Sequence, residues 1–282
     1  MEISGHPSVQ PNGQIDTPIH LVELKDVSVT LAGRAVFQNV SARVRPGEFV
    51  GVIGPNGSGK STLLKLILGL IQPSAGAVCF EGRPIQRGNR QIGYSPQVRA
   101  YDRELPITGR DFVGLGVDGD RWGIGRPSAR KRARVDEILD AVGALAYADA
   151  PIGQLSGGEQ QRLSIAQALI ANPSLLLLDE PLASLDLRSQ NEIIALVNRL
   201  CRARGVAVLF VTHGIDPLID VMDRVWYLAG GHAEIGSVDH VIRPEVLSRL
   251  YGSPVDVVRV GQRIFIAAAE ECCGSHGRDN LR

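Results

Sequence analysis

Apolar and polar residues alternate over 20–31, with one break at Lys25-Asp26. They alternate again through Val40, Ala42 and Val44, ahead of the turn Arg45-Pro46-Gly47-Glu48. A period of two marks half-buried antiparallel strands. The run 49–53 has no charged position and predicts a buried strand, and 62–70 carries Leu63, Leu66, Ile67 and Leu70 at helical spacing. A turn at 73–76 leads to a strand at 77–80, a second turn at Glu81-Gly82 and a short strand at 92–95.

From about 100 to 154 the pattern becomes helical. Val135, Ile138, Leu139 and Val142 form one apolar stripe, with Ser128 as N-cap. The runs 175–178 and 206–211 are continuously apolar, as in parallel strands covered on both faces, and 191–200 is the helix between them. Segments 224–228 and 233–235 make a hairpin across Gly230-Gly231. Segments 255–260 and 263–268 make another at Gly261, which reads as an appendix to the main domain.

Composition narrows the class. A chain of 282 residues, 44% hydrophobic, can bury a real core, and zero net charge carries no polyanion signature, so no nucleic-acid partner is expected. No run approaches the roughly 18 apolar residues of a membrane span. Residues 1–19 lack the basic start and apolar stretch of a secretory signal and read as a disordered tail, so a soluble cytoplasmic protein is expected. Cys79 and Cys201 fall in apolar periodic segments and read as buried thiols. Cys272 and Cys273 with His276 have soft-metal chemistry, but without paired C-x-x-C motifs 271–282 reads as a flexible tail. Arg126, Arg130, Lys131, Arg132 and Arg134 crowd one helix start, where positive charge opposes the helix dipole. That cluster reads as a solvated face, with an anionic partner surface as the alternative.

The chemistry concentrates at Gly54-Pro55-Asn56-Gly57-Ser58-Gly59-Lys60-Ser61, which fits G-x-x-x-x-G-K-[ST] between a strand and a helix. Glycines let backbone N–H groups approach phosphate oxygens, and the helix N-terminus adds donors and partial positive charge. Lys60 can reach the β- and γ-phosphates, and the Ser61 hydroxyl can bind Mg²⁺. This motif, extended to Thr62, predicts a site for a nucleoside triphosphate and Mg²⁺.

A second set of motifs is more specific. Leu155-Ser156-Gly157-Gly158-Glu159-Gln160-Gln161-Arg162 resembles the signature of the ATP-binding-cassette (ABC) family. Physically it is a capped helix start, a second anion site in which Ser156, Gly157 and Gly158 expose donors ahead of a helix reaching about Ala171. Leu175-Leu176-Leu177-Leu178-Asp179-Glu180-Pro181 resembles the family's Walker B motif. The resemblance implies that Asp179 holds Mg²⁺ and that Glu180 polarises the attacking water. It also implies a dimer-crossing D-loop at Ser184-Leu185-Asp186, a γ-phosphate contact at His213, and a Mg²⁺-sensing Q-loop at Gln97, within Ile92-Gly93-Tyr94-Ser95-Pro96-Gln97.

The resemblance covers about 20–240. It implies an α/β phosphate-loop NTPase of the ABC ATPase fold, with a mixed core sheet, an antiparallel β subdomain and a helical subdomain at about 100–155; 241–270 is then a small C-terminal extension. Two subunits are expected to stack as an ATP-dependent homodimer. The family places an adenine-stacking aromatic residue where Leu31 stands, and an acidic residue is common at Gly214.

A single cassette without a membrane segment or long coiled coil resembles the importer subunits. Those work peripherally on the inner membrane face through permease subunits, fed by an extracytoplasmic substrate-binding protein. Asp102-Arg103-Glu104-Leu105-Pro106-Ile107-Thr108 and Leu250-Tyr251-Gly252-Ser253-Pro254 are similar to the zinc/manganese branch. An iron-chelate importer ATPase and a non-transport soluble ABC ATPase are the alternatives.

Overall fold

Strands with no polar face must be covered on both sides, and the chain supplies two different covers. The computed structural model describes residues 20–97, 101–118, 128–261 and 263–268. The chain runs β1 (Val22–Leu31), β2 (Arg34–Val44), β3 (Phe49–Ile53), α1 (Lys60–Ile67), β4 (Ala75–Phe80), β5 (Arg83–Pro84) and β6 (Ile92–Ser95). Next come α2 (Gly109–Asp118), α3 (Ala129–Ala141), α4 (Gly157–Leu169), β7 (Leu175–Asp179), α5 (Leu187–Arg204) and β8 (Ala207–Thr212). It ends with β9 (Arg224–Ala229), β10 (His232–Gly236), α6 (Val238–Val241), α7 (Pro244–Tyr251), β11 (Val255–Val260) and β12 (Arg263–Ala268).

The core sheet has the order β10-β9-β3-β8-β7-β6, parallel except for β10. A second, antiparallel sheet has the order β2-β1-β4-β5. Alternate residues of the core strands feed two separate cores. Phe49, Ile53, Leu176, Leu178, Val208 and Phe210 join the helical side with α4 and α5. Val50, Val52, Leu175, Leu177, Leu209 and Val211 join α1 and the antiparallel sheet on the other. Each buried Leu or Val contributes about 1.5–3 kcal/mol relative to exposure, so this double cover sets the layer order.

The expected break in β1 is a bulge, with Asp26 at positive φ and register shifts between Leu24 and Val27. The bulge explains why β4 starts at Ala75, earlier than expected. Gly76 faces it so closely that a Cβ would lie 2.3 Å from the Lys25 carbonyl oxygen, so a glycine read as a turn is a strand residue. The helix after the phosphate loop is shorter than the 62–70 pattern. It stops at Ile67, Gly69 turns left-handed, and Leu70 is 49% exposed. Cys201 is buried, but Cys79 is only half-buried, because Val78 and Phe80 take the inward face of β4.

Ser128 does cap α3, accepting from the Lys131 N–H, and Val135, Ile138, Leu139 and Val142 are buried. The C-terminal hairpin is no appendix. Val255 and Ile264 enter the helical-side core, and the Ile264 N–H donates to Asp216 Oδ1 at 2.8 Å. Helices α6 and α7, which the pattern reading passed over, fill the space before it, and the Tyr227 and Tyr251 hydroxyls meet at 2.9 Å. The expected tails at 1–19 and 271–282, Arg126 and the Cys272, Cys273 and His276 set lie outside the described residues.

Candidate functional site

Strand order gathers the site. β3, β8, β7 and β6 are consecutive neighbours in the core sheet, all parallel, so their C-terminal ends lie side by side. Those ends carry the loop 54–61, His213, Asp179-Glu180 and Gln97. Residues spread over more than half the chain thus form one row, at the end of a parallel sheet where ligands characteristically bind.

The phosphate loop is built by its glycines. Gly57 and Gly59 have φ of 78° and 98°, in the left-handed region. Beside Gly57 there is open space where a Cβ would sit, whereas a Cβ on Gly59 would lie 2.8 Å from Val36 Cγ1. Ser58 Oγ is buried with no hydrogen-bond partner in its own loop. Lys60 is buried and folds back on the loop, donating to the Gly54 and Pro55 carbonyls at 2.8 and 2.9 Å. Burial pushes its pKa down, while the Glu180 and Asp179 charges oppose that push. Ser61 and Thr62 occupy the first turn of α1, with Ser61 exposed. An unpartnered buried hydroxyl, an open glycine edge and a helix N-terminus fit a phosphate chain.

Asp179 closes β7 and is buried. Burial, then the neighbouring Glu180 charge, pushes its pKa up, and the Tyr94 hydroxyl donates to Oδ2 at 3.4 Å. Burial likewise pushes the Tyr94 phenol up to about 12, so it stays a donor across the physiological range. Sequence reading missed Tyr94. Its signal was period two: Ile92 and Tyr94 share one face of the short strand beside β7.

Glu180 adopts φ 50°, a left-handed conformation that costs a non-glycine residue roughly 1 kcal/mol or more. A turn holds it, with the Ala183 N–H donating to the Glu180 carbonyl at 3.1 Å. Both carboxylate oxygens are engaged. Gln97 Nε2 donates to Oε2 at 3.0 Å, and His213 Nε2 lies 2.9 Å from Oε1. The hard-oxygen set of Ser61 hydroxyl, Asp179 carboxylate and Gln97 carbonyl suits Mg²⁺, which takes few protein ligands beside phosphate oxygens. Among the described residues no group of three or more His, Cys, Asp or Glu side chains stands together as a metal cage.

The structure does not bring Ser156, Gly157 and Gly158 to the phosphate loop of their own chain. They start α4, where Ser156 forms a capping box: its hydroxyl and N–H both donate to Glu159 Oε2, at 2.7 and 2.8 Å. Gly157 instead shares a cleft of ≈ 360 Å³ with Gln97, Tyr101, Arg103, Ser184 and Leu185. Asp186 caps α5, accepting from the Ser189 N–H at 2.7 Å, and that bond holds its carboxyl below the usual range. Because this cap went unread, the sequence placed the start of α5 at 191 when it is Leu187. Leu31 ends β1, 42% exposed, so it is Val36 of β2 that touches the phosphate loop.

A buried polar link was also missed. Ser95, two residues before Gln97, meets Ser164 of α4 at 2.7 Å between hydroxyl oxygens, and Gln161 Nε2 donates to Ser95 Oγ at 3.4 Å. The helix that begins with the signature is thereby pinned to the strand that leads to Gln97.

A strand-loop-helix phosphate cradle beside an acidic strand end defines a phosphate-loop nucleotide triphosphatase. The protein-family model for ABC transporters matches residues 37–183, and the chain belongs to that family. The zinc transport system ATP-binding protein TroB of Treponema pallidum is 35% identical over 86% of this chain and 91% of its own length. The manganese transport system ATP-binding protein MntB of Bacillus subtilis is 35% identical over 82% of this chain and 92% of its own. Among solved structures, cbiO1 from Clostridium perfringens, part of the ABC transporter complex cbiONQ, superposes with a TM-score of 0.70 at 27% identity, covering 82% of this chain and 93% of that one. A metal-chelate type ABC transporter in an inward-facing conformation shares the fold, with a TM-score of 0.74 at 24% identity over 89% and 98% of the two chains.

Proposed function

We propose that this ABC ATPase is the energy-supplying subunit of an importer for a divalent transition metal, zinc or manganese. The observation that carries the reading is the row of loop 54–61, His213, Glu180 and Gln97 along adjacent strand ends, in a chain whose relatives serve zinc and manganese transport systems.

Gly54 to Thr62 cradle the phosphates of ATP, and the Lys60 ammonium neutralises charge on the transferring phosphoryl group. Ser61, Asp179 and Gln97 would hold Mg²⁺, whose charge would offset that of the phosphate oxygens. Glu180 orients the attacking water and takes its proton, a role supplying roughly 10²- to 10⁴-fold. To act, Glu180 must free an oxygen from Gln97 or His213, so closing the site and arming the base are one movement. His213 then turns to the γ-phosphate. Ser156, Gly157 and Gly158 of a second copy complete the site across an ATP-dependent homodimer, with Asp186 and its loop at the seam.

Permease subunits dock at the cleft between Gln97 and the segment 101–108. They hold the ATPase on the inner membrane face and receive metal from an extracytoplasmic binding protein. Among the described residues no helix is long and apolar enough to cross a membrane.

The test is MgATP hydrolysis by wild type and Lys60→Ala, then metal uptake by vesicles carrying the co-purified permease. Nucleotide binding and turnover should vanish together in Lys60→Ala. Near-normal hydrolysis by that variant overturns the site; ATP-driven uptake of other substrates but not of zinc or manganese overturns the cargo.

A further inference from the structure

The arginine cluster at the start of α3 has a counterpart elsewhere in the fold. Arg130 and Arg134 face Arg204, from the last turn of α5, across a cleft of ≈ 690 Å³. The cleft lies at the opposite end of the core sheet from the phosphate loop, because Asn172, Pro173 and Val206 on its wall lead into the N-terminal ends of β7 and β8. Its floor is apolar, made by Ile138, Leu169, Ile170 and Val206.

None of the three guanidiniums makes a hydrogen bond or ion pair with another described residue, although Arg134 is half-buried. The dipole of α5 favours Arg204 in its last turn, but no side chain or carbonyl pairs directly with any of the three. The C-terminal ends of α4 and α5 border the cleft, yet none of these arginines donates to their last carbonyls. On α3 itself Arg130 sits in the first turn, where the dipole disfavours it, and Arg134 follows one turn later. Glu137 is the one acid in the cleft, and it too is unpaired. Three positive charges and one negative leave a surplus of two.

We propose that this cleft binds a phosphomonoester with an apolar arm. Such a phosphate carries about two negative charges near neutral pH, matching the surplus, and presents oxygens that guanidinium forks grip in pairs. The apolar floor takes the ester arm, and the volume falls in the range of small-molecule sites. A soluble organic phosphate and the headgroup of phosphatidic acid offer the same chemistry.

The test is titration calorimetry of the full chain with phenyl phosphate, with MgADP saturating the nucleotide loop. Saturable binding should persist in Lys60→Ala, titrated without nucleotide because that variant binds none, and weaken about tenfold or more in the Arg130→Ala/Arg134→Ala/Arg204→Ala triple variant. Arg134→Lys, which keeps charge but loses the fork, should fall between. These side chains lie at the surface or half-buried, so circular dichroism should match wild type. Co-sedimentation with phosphatidylcholine vesicles, with and without phosphatidic acid, identifies the source. Arginine-dependent capture by phosphatidic acid marks a lipid site, and binding of phenyl phosphate alone marks a soluble one. No saturable binding up to about 10 mM, loss in Lys60→Ala, or equal binding by wild type and the triple variant overturns the proposal.

Discussion

Gln97 and Glu180 hold one another across the end of the core sheet: the Gln97 amide donates to Glu180 Oε2 at 3.0 Å although 83 residues separate them. His213 occupies the other oxygen of the same carboxylate. The proposed base is thus restrained by the two residues that the proposed mechanism requires to move.

Replacing the base should separate assembly from turnover. Glu180→Gln keeps the shape and the hydrogen bond to Gln97 but cannot take a proton. Hydrolysis should fall roughly 10²- to 10⁴-fold, about 3–5 kcal/mol of barrier, while ATP binding persists. Size-exclusion chromatography should show an ATP-dependent dimer that Ser156→Arg dissolves. A variant that binds ATP yet stays monomeric at high protein concentration would contradict an intrinsic dimer.

Adenine has no aromatic platform at Leu31, which is exposed at the end of β1. Leu31→Tyr should tighten ATP by about 1 kcal/mol, the typical worth of an aromatic pair. Unchanged affinity in a fluorescent-nucleotide titration would remove Leu31 from the adenine site.

The Ser95–Ser164 pair is sealed in the core, so losing one hydroxyl leaves the other with fewer partners. Ser164→Ala should destabilise the chain by about 1 kcal/mol in urea denaturation. Because both hydroxyls share one bond, Ser95→Ala/Ser164→Ala should cost less than the two single changes summed. Strict additivity would show that the pair is not coupled.

Acid sensitivity should track Asp223. Burial pushes its carboxyl up, but the Arg202 guanidinium and the Phe49 N–H outweigh burial and hold it below the usual aspartate range. A depressed folded pKa gives stability that is present above the unfolded pKa and lost as pH falls through the folded value. The stability gap between wild type and Asp223→Asn should therefore be full at neutral pH and close below about pH 4. A gap that does not change with pH would refute this.

Local chemistry made much of the molecule legible. Residues 54–61 need glycines, a lysine and a hydroxyl at fixed spacing because phosphate binding is done by contiguous backbone, so the motif survives in one dimension. The β3, β7 and β8 strands were legible because burial on both faces leaves no polar position. The hairpin at Gly230-Gly231 was legible because a tight turn needs left-handed residues. Ser128 capped its helix as its side chain predicted.

Other features depended on strand order and packing. No local pattern places His213 beside Glu180 or Ser95 against Ser164; the order β3-β8-β7-β6 makes the first pair by laying distant strand ends in one row, and the packing of α4 on β6 makes the second. Gly76 reads as a turn until the β1 bulge is seen pressing on it. Asp186 reads only as an interface residue, and the structure adds that it caps α5. A sequence records what a residue can do with its neighbours along the chain. Contacts across the sheet depend on which strands lie adjacent, and that order is set by the global burial of two apolar faces.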